Sequence, residues 1–120
     1  MSNHFISLPV AIQMTTLYRN QKDNILKQEL IGKSLLPLSE TFDAAAFSAV
    51  LSNPDCKSLR IYYGMSDDLK VHAIIVGVNE KDEDIIPAQT TIGSISGNTG
   101  LIEVGIQCPP QCPPSSPLNG

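Results

Sequence analysis

Residues 58–79 read SLRIYYGMSDDLKVHAIIVGVN, and two different residue patterns meet in this stretch. Its first part alternates, with apolar odd positions on one face and Arg60 and Tyr62 on the other. Residues 70–79 form a nearly unbroken apolar run with many β-branched side chains, which is typical of a strand buried on both faces. Because only a short turn separates the two segments, the stretch predicts an antiparallel hairpin.

Helices are predicted before the hairpin. A first helix, capped by Ser7, is expected over roughly 8–31, either as one piece or as two pieces joined near Asn20. A second helix is expected over roughly 42–52. The side chains expected to face the core are Ala11, Met14, Tyr18 and Ile25 in the first helix and Phe42, Phe47, Val50 and Leu51 in the second.

Short extended segments are expected on both sides of the hairpin. Pro37 confines the extended piece over 34–40 to a sheet edge. The elements expected after the hairpin are an acidic turn at 79–84, a strand starting at 85, a loop or weak strand over 88–100 and a last strand over 101–107. This order predicts an α+β fold in which two or three N-terminal helices pack on one face of a small, mainly antiparallel sheet. We expect a single domain over 1–107 and an extended proline-rich tail over 108–120.

The charge of the chain is acidic and unevenly spread. The 120 residues carry a formal net charge of −4, and residues 61–120 hold two basic against seven acidic side chains. Such a surface repels phosphate backbones and anionic lipids, so neither nucleic acid nor a membrane is expected as a partner. No apolar segment approaches the ~20 residues needed to span a bilayer, and the N-terminus lacks the basic region of a signal peptide. With three cysteines, this favours a reduced, cytoplasmic protein.

No set of residues has a catalytic or metal-binding spacing. GKS at 32–34 lacks the first glycine and the preceding strand of a phosphate-binding loop, and GSISG at 93–97 has Ile95 where a nucleophile elbow needs serine. The acidic turn at 79–84 lacks the glycine of a calcium loop, which favours a solvated turn. His72 is expected to be structural, since a general base needs a nucleophile or carboxylate beside it. We therefore expect no enzyme activity, no cofactor and no metal.

Arg60 and Tyr62 form the most polar and aromatic patch of the sequence. On one face of a strand, they are suited to recognising a carboxylate or a partner surface. The alternative is a half-exposed face on which the aliphatic stem of Arg60 packs over Tyr62. Together with His72, the pair also defines an alternative function, a small-molecule or metal-responsive regulatory domain.

Residues 108–114 read CPPQCPP. Consecutive prolines favour a polyproline II helix, in which Cys108 and Cys112 would lie about 12 Å apart, beyond the ~7 Å limit for a disulfide. Only a turn at Pro110–Gln111 would bring the thiols together. The spacing does not fit a thiol oxidoreductase motif, and a zinc site would need Cys56 and a histidine as well. A stiff docking arm is favoured, with candidate interaction residues Cys108, Pro109, Pro110, Cys112, Pro113 and Pro114.

A longer pattern resembles a group of small proteins common in Bacteroidota genomes. It consists of the helix ISLPVAIQMTTLYR, the stretch ETFDAAAFSAVLSNPDCKSLRIYYG with Cys56 four residues before Arg60, the strand ending in VGV at 76–78 and the acidic turn before Asp84. The resemblance covers roughly residues 7–86, and a CPP tail occurs in some members of the group. It implies a bacterial, non-secreted single domain and transfers no catalytic residue.

These observations predict a non-enzymatic domain that binds other proteins or copies of itself, as a homo-oligomer. Three features favour this function: the lack of an assembled catalytic set, sheet edges left open in so small a domain, and a stiff tail that carries thiols. The regulatory domain that uses Arg60, Tyr62 and His72 is the second hypothesis. A thiol-based redox protein is the third.

Overall fold

The structure is a computed structural model that describes residues 4–86, 101–102 and 105–119. In that part the chain is α+β, with two α-helices and two small antiparallel sheets, which confirms the expected fold class. The helices are α1 (Leu8–Gln21) and α2 (Ala44–Leu51), and the strands are β1 (Ser39–Thr41), β2 (Ser58–Met65), β3 (Val71–Val78), β4 (Leu101–Ile102) and β5 (Ile106–Cys108). The polar segment expected over 88–100 lies outside the described residues.

The chain divides into two compact units. One contains the residues up to Ser39 together with those from Gln107 onward, and the other runs from Glu40 to Ile106. The predicted division into a domain over 1–107 and a tail over 108–120 stays a prediction.

The second unit is built around the predicted hairpin. Strands β2 and β3 pair antiparallel from Ser58 opposite Val78 to Met65 opposite Val71, and β4 adds to the other side of β3 in the order β2-β3-β4. The turn is the expected one. Within it the Ser66 amide donates to the Lys70 carbonyl at 3.0 Å. The hairpin prediction is confirmed because alternation and turn composition are local properties of the sequence.

The core of this unit lies between α2 and β3. Val50 of α2 and Ile75 of β3 are buried at its centre. The partly buried side chains packed against them are Phe42, Ala46, Phe47, Cys56 and Ala73. Gly77 allows the close approach, since a Cβ there would lie 3.0 Å from the Cys56 sulfur and 3.2 Å from Val50 Cγ1. Sequence reasoning was right for Val50 and wrong for Leu51, which is exposed.

Strand β3 also buries side chains on its second face. Val76 and Val78 are nearly inaccessible there, as the apolar run predicted for a strand covered on both faces. The last strand expected over 101–107 is instead two short strands. They belong to different sheets, since β4 pairs with β3 and β5 pairs with β1. Gly105 separates them, and its missing side chain leaves room for the Phe42 ring, 2.7 Å from an ideal Cβ position.

The first unit contains α1 and the tail. Ser7 caps the helix as expected, accepting the Val10 amide at 3.3 Å, and α1 ends at Gln21. Two short 3₁₀ turns, Lys22–Ile25 and Gln28–Leu30, follow it. No described side chain of α1 is buried, and Ile25 in the following turn is exposed as well. The expected core positions Met14, Tyr18 and Ile25 are therefore wrong, since an apolar period does not specify a covering partner.

The tail is tied to this unit by turns. The Leu38 amide donates to the Cys108 carbonyl at 2.7 Å, and Arg19 Nη1 donates to the Leu118 carbonyl at 3.0 Å. Cys108 and Cys112 form a disulfide with their Cα atoms 4.5 Å apart, so the expected separation of about 12 Å in polyproline II geometry is wrong. The physical reason is the turn over 109–111, which the Gln111 amide closes onto the Gln107 carbonyl at 3.1 Å. The peptide bonds before Pro109 and Pro110 are cis.

Candidate binding edge

Strand β2 forms one edge of the three-stranded sheet. Among the described residues it pairs with β3 on one side and with no strand on the other. At eight residues it is long for an edge strand. It contains no proline and no lysine, the residues that commonly guard an edge against further pairing.

The hydrogen-bond pattern of β3 shows which backbone groups of β2 face outward. The Ala73 amide donates to Glu40 Oε1 at 2.7 Å, and the Gly77 carbonyl accepts the Ile85 amide at 2.8 Å. The backbone N–H and C=O groups of these odd-numbered residues of β3 therefore point away from β2. In an antiparallel ladder, two directly opposite residues either both turn their backbone N–H and C=O groups toward each other or both turn them away. Tyr63 and Leu59 lie opposite Ala73 and Gly77, so their backbone groups point away from β3.

The side chains of the same outward-facing residues are apolar and exposed. We call this set the open edge. Its members, with their exposed fractions, are Leu59 (37%), Ile61 (53%), Tyr63 (80%) and Met65 (62%). They share a face with Ile75, which α2 covers, but the helix does not extend over β2. The open edge thus offers unpaired backbone groups and an apolar row at the same four positions.

Arg60 and Tyr62 lie together on the opposite face of β2. Arg60 Nη1 is 2.6 Å from Asp84 Oδ1 and Nη2 is 2.6 Å from Asp82 Oδ1, while the Tyr62 hydroxyl donates to Asp84 Oδ2. The hydrogen bond from Tyr62, with the one from Arg60, holds the pKa of the Asp84 carboxyl below its usual range. The hydrogen bond between Arg60 and Asp84 also raises the pKa of Arg60.

This arrangement bears on the predicted recognition patch. The carboxylates that Arg60 contacts come from the chain's own acidic turn, which the sequence analysis treated as solvated. Asp84 reaches Arg60 because its segment pairs with Val78 on the far side of β3. Arg60 is the only charged residue of β2, and its charge is paired on the face opposite the open edge. It therefore does not guard the open edge against pairing with another strand, as an exposed charge at an edge can. A contact of Arg60 or Tyr62 with another molecule stays a prediction.

His72 belongs to a different set of contacts. Its Nε2 lies 3.2 Å from the Ser66 hydroxyl oxygen, and its Nδ1 lies 3.9 Å from Oε2 of Glu40, whose side chain is only 9% exposed. Ser66 also donates its single hydroxyl proton to the Asp68 carboxylate, and this bond holds the pKa of Asp68 below its usual range. The contacts link the hairpin turn to Glu40, and a structural role for His72 stays a prediction.

We expect His72→Gln to lower the free energy of unfolding by about 1–2 kcal/mol, because the contacts to Ser66 and Glu40 are lost or weakened. Urea denaturation measures the change. His4→Gln, at an exposed position, is the matched control and is expected to change stability by less than about 0.5 kcal/mol. A loss of association without a loss of stability in His72→Gln contradicts the structural role.

The tail residues singled out by their sequence occupy a separate place in the fold. Cys108 is buried and Pro109 half-buried, while Pro110, Cys112, Pro113 and Pro114 are exposed. The disulfide leaves neither cysteine as a free thiol, and Cys56 keeps the free one. The docking role of the tail stays a prediction.

Two searches of the described residues concern partners. No three metal-ligating side chains among them lie close enough to hold an ion. None of the helices in the described ranges is long and apolar enough to cross a membrane.

Comparisons of the chain with protein-family models, with curated proteins and with solved structures find no match. The described geometry itself defines the class: a small α+β protein whose antiparallel sheet has one long, apolar edge strand. The open edge was only partly foreseen, since the sequence predicted open sheet edges without specifying β2. Glu40 and Asp84 were missed as partners of the hairpin because each lies more than twenty residues from the group it contacts.

Proposed function

We propose that this protein is a non-enzymatic assembly domain that binds a protein strand along the open edge of β2. The observation that carries the proposal is the coincidence of outward backbone groups and exposed apolar side chains at the same residues. Strand addition uses both at once, since main-chain hydrogen bonds provide affinity and alternate side chains provide specificity.

The energetics favour strand addition at this edge over a random contact. A strand bound along the open edge gains hydrogen bonds at four positions, each worth about 0.5–1.5 kcal/mol net. Cross-strand apolar pairs add about 0.2–1 kcal/mol each. Arg60 does not oppose this, because Asp82 and Asp84 already hold its guanidinium on the other face.

Ile61→Pro is the decisive substitution. Proline at this position removes one outward amide and crowds the edge, yet the β2–β3 ladder keeps its bonds. We expect it to abolish self-association in sedimentation velocity and to weaken binding of a lysine-flanked, fluorescent peptide carrying residues 58–65 at least tenfold.

The matched control for this experiment is Ile61→Ala. It shortens the same side chain but keeps the amide, so it is expected to lose less than half of the binding free energy. Equal losses in the two variants mean that the side chain alone binds. Full binding by Ile61→Pro, with its fold intact by circular dichroism, rules out strand addition at this edge.

A further inference from the structure

We infer that the strand bound at the open edge is β2 of a second copy, antiparallel, with Tyr62 of the two copies opposite each other on a two-fold axis. This inference rests on the proposed function and adds the identity and register of the partner. A two-fold contact uses the same patch on both copies, so the open edge must be complementary to itself.

The alternation of inward and outward backbone groups along β2 limits the registers in which two copies can pair. Only odd-numbered residues of β2 have outward backbone groups, so each hydrogen-bonded pair across the axis joins two odd-numbered residues. Any residue of β2 placed opposite its own copy satisfies this, and the candidates at the middle of the strand are Arg60, Ile61, Tyr62 and Tyr63. An axis at Tyr63 places Leu59 opposite Asp67, which lies outside the strand and carries a charge. An axis at Arg60 sets two like charges directly opposite each other, which is unfavourable.

An axis at Tyr62 uses the open edge completely. It places Leu59 opposite Met65 of the second copy and Ile61 opposite Tyr63, so every outward-facing residue of β2 has a partner within the strand. The pair of Ile61 with Tyr63 is β-branched against aromatic, a favourable cross-strand combination. An axis at Ile61 instead places Met65 opposite Lys57, which lies outside the strand and carries a charge.

The charges of the second face agree with this axis. Arg60 then lies opposite Gly64 of the second copy, which has no side chain to crowd the guanidinium. The Asp84 carboxylate reaches the second face of β2, where Arg60 offsets its charge and the Tyr62 hydroxyl donates to it. Two chains of net charge −4 can meet along β2 because the outward-facing side chains of the open edge carry no charge.

Single-cysteine cross-linking tests the register. Both variants are made in a Cys56→Ser background, in which the serine hydroxyl can still donate to the Ser58 carbonyl as the thiol does. Tyr62→Cys places two thiols directly opposite each other, within the Cα separation that a disulfide needs. Ile61→Cys is the matched control, because its copies are diagonal neighbours about 7–8 Å apart.

We expect Tyr62→Cys to cross-link to a dimer upon mild oxidation, with at least tenfold more product than Ile61→Cys on a non-reducing gel. Product from Ile61→Cys alone overturns the register. The register is also overturned if neither variant cross-links although the parent protein associates and Ile61→Pro abolishes that association. A monomeric parent protein that still binds the 58–65 peptide overturns self-pairing but leaves strand addition standing. A parent protein that neither associates nor binds the peptide overturns both.

Discussion

Tyr62→Pro is expected to destabilise the second unit strongly, whereas Ile61→Pro one residue away is expected to change its stability little. Tyr62 lies opposite Ile74 in a hydrogen-bonded pair, so its amide donates into the β2–β3 ladder. A proline there removes that bond and the Tyr62 contact with Asp84 and leaves the facing Ile74 carbonyl unpaired, at a cost of about 2–4 kcal/mol. That is a large part of the ~5–15 kcal/mol that stabilises a typical domain.

Urea denaturation followed by circular dichroism measures both proline variants, and Tyr62→Ala is the control that removes only the side chain. We expect Tyr62→Ala to remain folded, since it keeps the backbone amide. If the two prolines destabilise equally, the assignment of inward and outward residues in β2 is wrong, and with it the basis of the open edge.

Ile75→Ala is expected to cost about 2–5 kcal/mol, because Ile75 is 3% exposed at the centre of the core and α2 closes over it. Ile61→Ala is a matched control, since Ile61 lies directly opposite Ile75 on the same face. It is about half exposed, so we expect less than about 1 kcal/mol for the monomeric protein at low concentration. Chemical denaturation of both variants gives the comparison. Similar losses mean that α2 does not define the border of the core.

The parts of the fold that could be predicted are those determined by residues close together in the sequence. The alternation of 58–64, the apolar run of 70–79 and the turn between them specify the hairpin, its register and the two faces of β2. The helix cap at Ser7 is equally local. Periodicity identifies an apolar helix face, but it does not show whether another part of the protein covers that face. Leu51 and Met14 follow an apolar period, yet the structure leaves both exposed.

The candidate site depended on contacts between distant residues. Asp84 reaches Arg60, and Glu40 reaches Ala73, only after β3 has brought their segments alongside. The tail shows a second limit: proline geometry argued for extension, and a turn at the position considered from the sequence brought the cysteines together. In both cases local preference gave the alternatives, and tertiary structure selected among them.

The carboxylate of Glu40 on the Ala73 amide has a consequence for how far assembly can proceed. The far side of β3 is occupied by Glu40 at residue 73, by β4 at residues 75–76 and by Ile85 at residue 77. Polymerisation into a fibre requires that each added molecule present a fresh adhesive edge to the next one. In the proposed symmetric pair β2 is consumed, and the described residues on the far side of β3 form no second edge strand of this length. The proposed pairing therefore predicts growth that terminates at two molecules, without amyloid-like propagation.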